Sequence, residues 1–139
     1  MNDKQQLGLN VRIHGSFDAV LAQTIETLKT EGFGVLTEID VKATMKAKLD
    51  VDFRPYHILG ACNPHLAHRA LTAVPAIGLM LPCNITVAEQ EDGSIEVAAV
   101  NPLAMMEVMP HPELEQVAAE AHEKLKRVID SLENRHAVV

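Results

Sequence analysis

A long amphipathic segment near the C-terminus constrains this chain more than any other feature. Beyond Pro112, the residues Leu114, Val117, Ala118, Ala121, Leu125, Val128, Ile129 and Leu132 recur at the spacing of one helix face. Pro112 suits a first helical turn, where no backbone N–H is needed. Glu113 and Glu115 lie near the start of the segment, and Lys124, Lys126 and Arg127 near its end, which complements the helix dipole. An apolar stripe of this kind must be buried, so the rest of the chain has to supply a surface that receives it.

The preceding residues read as that surface. Leu9, Val11 and Ile13 alternate with polar neighbours over Gly8 to His14, the pattern of a half-buried strand. Ser16 is a good N-cap for a helix carrying Phe17, Val20, Leu21, Ile25 and Leu28, and Gly32 ends it. Phe33 to Ile39 reads as the second strand. Val41 to Phe53 alternates like a strand, yet Val41, Met45 and Leu49 share helical spacing behind Asp40, so a helix is expected over 40–50. Tyr56 to Ala61 is the third strand. Asn63 and Pro64 start a short helix with Leu66, Ala67, Ala70, Leu71 and Val74 on its apolar face and His65 and His68 on its polar face. Gly78 to Ala88 reads as a strand weakened at Pro82, and Glu91-Asp92-Gly93-Ser94 as a turn leading to a strand over Ile95 to Val100. Asn101 and Pro102 open a short turn or helix rich in Met. The order strand-helix-strand-helix-strand-helix-strand-strand-helix predicts an α+β fold: one mixed or antiparallel sheet covered by helices.

Composition bounds what such a domain does. The 139 residues suit one domain, with an ordered core over about 8–132 and a frayed tail from Asn134 to Val139. Apolar residues make up 47%, which supports a packed core, and aromatic residues only 3%, with no Trp. Recognition of nucleic acid by stacked rings is therefore disfavoured, and a net charge of -7 repels phosphate backbones. The longest apolar run, Ala73 to Cys83, is broken by Pro75, Gly78 and Pro82, so no membrane span is expected. Met1 to Asn10 is polar and unlike a signal peptide, and the two cysteines then read as reduced thiols of a soluble cytoplasmic protein.

Chemistry concentrates in Tyr56-His57-Ile58-Leu59-Gly60-Ala61-Cys62-Asn63-Pro64. Cys62 sits at a strand end just before a helix start, where backbone N–H groups favour a thiolate. Cys83 follows in Leu81-Pro82-Cys83-Asn84. With Tyr56 and Asn63, these thiols are the ligand-binding candidates. Cys62, Cys83 and His57 are the candidate metal ligands, without a C-x-x-C or H-E-x-x-H pattern behind them. A buried cysteine also serves as a small hydrophobe. No G-x-G-x-x-G, P-loop or G-x-S-x-G is present, so no cofactor and no catalytic residue is assigned. His111, between two prolines, reads as part of a helix cap, and Met105, Met106 and Met109 read as core.

The runs Gly32-Phe33-Gly34-Val35-Leu36, Tyr56 to Pro64, Pro75, Ile77 to Asn84 and Asn101-Pro102 together resemble the domain of unknown function 302 family over about residues 10–130. The resemblance implies a compact α+β domain and a homodimer, and it supports the helix over 40–50. Cys62 and Cys83 match the two motif cysteines; His57, His65 and His68 match no motif position. The resemblance supplies no reaction. Three readings remain open: a module binding a small molecule or metal, a thiol-dependent redox enzyme or sensor with Cys62 activated and Cys83 resolving, and a structural dimeric interaction domain.

Overall fold

Three of the four helices begin where a short polar side chain accepts a backbone N–H that the helix itself leaves unpaired. Ser16 accepts from Ala19 at 3.2 Å, Asp40 from Ala43 at 2.9 Å and Asn63 from Leu66 at 3.3 Å. The structure, a computed structural model, describes residues 6–135. Its elements are β1 (Gly8–Ile13), α1 (Phe17–Thr30), β2 (Gly34–Asp40), α2 (Val41–Leu49), β3 (Tyr56–Cys62), α3 (Pro64–Ala73), β4 (Cys83–Glu89), β5 (Ile95–Val100) and α4 (Pro112–Arg135), with 3-10 turns at Pro75–Met80 and Pro102–Glu107. This is the expected α+β order. The five strands form one antiparallel sheet, in the order β1-β5-β4-β3-β2.

The ambiguous segment after Asp40 is helical, and none of its residues is buried. Its conformation follows from the Asp40 cap and the Ala, Lys and Met content, not from burial. Two expectations need correction. The strand expected over Gly78 to Ala88 starts only at Cys83, because Pro75 opens a 3-10 turn and Pro82 has no N–H to give a ladder. Asn134 and Arg135, expected in a frayed tail, are the last turn of α4; 136–139 lie outside the described residues.

One face of the sheet carries Val11, Ile13, Leu59, Ala61, Ile85, Val87, Ile95, Val97 and Ala99, all buried beneath α1 and α4. The opposite face carries Arg12, Glu96, Thr86 and Ile58, which are partly or fully exposed, and Arg12 pairs there with its cross-strand neighbour Glu96 at 3.5 Å. A 24-residue helix is roughly 36 Å long, whereas strands of six or seven residues span about 20 Å. Helix α4 therefore overhangs the sheet. Its C-terminal half (Leu125, Val128, Ile129, Leu132) joins the sheet core. Its N-terminal half (Leu114, Val117, Ala118, Ala121) forms a second cluster with Leu66, Ala70, Ile77 and Met106.

Side chains of the neighbouring strand and loop pack closely on β3 at Gly60. A Cβ on Gly60 would collide with Thr37 Oγ1 on β2 and lie 2.7 Å from Pro82 Cγ. Gly60→Ala should therefore cost about 2 kcal/mol in urea unfolding, by overpacking against the Pro82 ring even if the exposed Thr37 side chain turns aside. A loss below half that would show that the Pro82 segment moves freely over the sheet.

Candidate functional site

The seam between the two apolar clusters is not filled. A cavity of about 320 Å³ lies there, bounded by the ends of β3 and β4, by α3, by both 3-10 turns and by the overhanging half of α4. Small side chains create it: Ala61, Ala67, Ala70, Ala118 and Ala121 all line its wall, where larger residues would close the space. Phe33, Leu66, Leu81, Met105, Met106, Leu114 and Val117 add to an almost wholly apolar wall that is open to solvent at one side. Leu36, the extra residue where the β2–β3 register shifts, lines the cavity and is 68% exposed, so it marks the opening.

Cys62, Asn63 and Cys83 stand on this wall together. Cys83 lies opposite Ala61 in the β3–β4 ladder, one position from Cys62. Both thiols are free and partly buried. Burial, with a further contribution from the neighbouring Cys62, pushes the Cys83 thiol up from 9.0 to about 11, so it stays protonated near neutral pH.

Asn63 holds the frame instead of presenting a free amide. Its Oδ1 accepts the Leu66 N–H, and its Nδ2 donates to the Glu31 carbonyl oxygen at 3.2 Å, tying the start of α3 to the end of α1. Asn101 does the same at the end of β5: its Oδ1 accepts from Leu103 N–H at 3.1 Å and its Nδ2 donates to the Gln6 carbonyl at 2.9 Å. Two ion pairs bracket α4, Arg69 with Glu120 at 2.5 Å and Arg127 with Glu31 at 2.9 Å.

Tyr56 and His57 are not part of this site. Both lie at the far end of β3, roughly 16–20 Å from Cys62 by strand rise. Tyr56 packs near Phe53, with ring centroids 6.2 Å apart. His57 sits between two carboxylates, Nδ1 to Glu38 at 2.7 Å and Nε2 to Asp40 at 3.5 Å, with Phe17 against its ring at 5.3 Å. The expected grouping of Tyr56 with the cysteines, and of His57 with them as metal ligands, is thus corrected by the length of the strand that separates them. Among the described residues, no group of three His, Cys, Asp or Glu is placed to hold a metal ion. His65 and His68 point to solvent as expected, and His111 Nδ1 accepts the Glu113 N–H at 3.2 Å in the first turn of α4. Of the methionines, Met106 is buried, and Met105 and Met109 pack partly buried against the second cluster.

Sequence reasoning missed Leu36 and the α4 alanines as wall residues. The signal was present: Ala118 and Ala121 are the small positions of an otherwise bulky stripe.

Known proteins give the same outline. The sequence profile of the family described as "Domain of unknown function DUF302" matches residues 9–132. An "Uncharacterized protein" of Aquifex aeolicus (strain VF5) is 33% identical over 94 residues, which are 59% of this chain and 65% of that protein. The chain therefore matches just under two thirds of that relative's length. The crystal structure of an uncharacterized conserved DUF302 protein from Bacillus stearothermophilus superposes with a TM-score of 0.83 at 29% identity, covering 90% of this chain and 97% of the other.

Ionisation of Cys83 gives a pH test. Its folded-state value is raised, so its contribution to stability is complete below about 9 and is lost as pH rises through about 11, where the unfolded chain ionises first. The wild type should lose up to about 2 kcal/mol more than Cys83→Ala across that window, solvent screening at the partly exposed sulfur included. Parallel pH curves for the two proteins in urea unfolding would show that the thiol is not desolvated.

Proposed function

We propose that this chain, which belongs to the DUF302 family, is a binding module for a small ligand held in the cavity beside Cys62 and Cys83. The cavity carries this reading: it is concave, open to solvent at one side and almost wholly apolar, with about 320 Å³ of space, as ligand sites are. Its volume lies in the range of ligand pockets, and its walls come from helices and strands that are capped and braced around it. The thiol-enzyme reading has less support, since a resolving thiol held near 11 supplies little thiolate at neutral pH. A metal ligand also has less support than a small molecule, because among the described residues the donor set at the cavity is confined to sulfur atoms and a committed amide.

Native mass spectrometry of freshly purified protein, beside binding of an apolar fluorescent reporter, tests the proposal. Wild type should carry a bound small molecule or take up the reporter. Ala118→Phe, which places a ring in the cavity, should do neither while changing stability by less than about 2 kcal/mol. Uptake that persists in the filled variant would place binding elsewhere, and no uptake by the wild type would overturn the reading.

We also infer that the domain works as a homodimer, as the family resemblance implies. The segment from β2 through α2 to Phe53 supports this: Leu36 and Ile39 on the edge strand β2, Leu49 on α2, and Val51 and Phe53 beyond it are between 40% and 68% exposed. Edge strands and contiguous apolar patches are normally covered. Sedimentation at micromolar concentration should give a dimer for the wild type and a monomer for Ile39→Asp with Phe53→Asp. A monomeric wild type ends the inference. Free thiols in both positions support a reducing, cytoplasmic setting.

A further inference from the structure

We propose that the ligand of the cavity is an uncharged aliphatic chain, of the fatty alcohol, aldehyde or ester class, and not a fatty acid or an alkylamine. The inference rests on the binding-module reading and names the ligand class of that same site. It follows from what the wall lacks. Among the described residues, no Lys, Arg, His, Asp or Glu lines the cavity. Its one amide, Asn63, is committed at both ends to backbone groups. Cys83 stays a neutral thiol near neutral pH.

Two arginines on the flanking helices are already committed to carboxylates. Arg69 is held by Glu120 and Arg127 by Glu31. The opening offers no relief: Leu36 and Leu71, the exposed members of the wall, continue the apolar surface outward. A carboxylate drawn to this site would lose water and gain no partner, on a protein whose net charge of -7 already opposes anions. An ammonium would meet no carboxylate on the wall and loses its hydration in the same way. An aliphatic chain suits the interior, where Met105 and Met106 provide adaptable thioethers beside the aliphatic side chains.

The test compares decanol, decanoate and decylamine as competitors for an apolar fluorescent reporter on the full chain near neutral pH. A second readout is protection of Cys62, which lies on the cavity wall, from a maleimide. Decanol should displace the reporter and slow Cys62 alkylation, with decanoate and decylamine on the order of a hundredfold weaker. The decanoate gap should narrow as pH falls toward about 5, where carboxylates take up protons. Ala118→Phe, or Ala121→Leu should the first variant fold poorly, should abolish both decanol effects. Decanoate or decylamine binding as tightly as decanol would overturn the ligand class and leave the binding module standing. A decanol effect that survives both fillings would overturn the assignment to this cavity. Failure of the reporter and all three competitors to bind the wild type would overturn the binding-module reading itself.

Discussion

Burial of one helix stripe in two places organises this molecule. Helix α4 is longer than the sheet it crosses, so its eight apolar positions divide between the sheet core and a second cluster beyond the sheet end. The two ion pairs that bracket it are exposed and contribute little on their own. Orientation comes from the stripe, and the stripe dictates that something must cover the overhang. Helix α3 and the two 3-10 turns do so, and the space left between them and the strand ends is the cavity.

Two Asn-Pro steps convert strand ends into that cover. Asn63 follows β3 and Asn101 follows β5, and each amide caps the next helical turn while donating to a distant carbonyl. Proline then accepts a position where no N–H is required. The same buried amide thus serves as cap and brace, which is why Asn63 stands on the cavity wall and yet offers a ligand nothing polar. The wall is consequently tied together at Asn63 and, among the described residues, carries no charged side chain.

Much of the fold was legible from local patterns. Ser16, Asp40 and Asn63 announced helix starts through capping chemistry, Asp92-Gly93 announced the hairpin, and the α4 stripe announced burial. Even the strand-like alternation of residues 41–53 yielded to the Asp40 cap and the Ala, Lys and Met content. The strand expected from Gly78 failed because a run of apolar residues between two prolines satisfies a 3-10 turn as well as a strand, and periodicity does not separate the two. Half of the candidate site was legible too, in Cys62, Asn63 and Cys83. Tyr56 and His57 were grouped with them by closeness in sequence, and an extended strand turns that closeness into distance.

The sequence by itself determined the element order, the helix caps, the stripe of α4 and the presence of two thiols near strand ends, because each depends on residues within a few positions of one another. Only the tertiary structure decided that Cys62 and Cys83 face one cavity, that five alanines from β3, α3 and α4 leave that cavity open, and that His57 belongs with Glu38 and Asp40 instead. Those outcomes depend on register between strands and on how far a helix overhangs a sheet. They are sums over contacts distant in sequence, which no local pattern encodes.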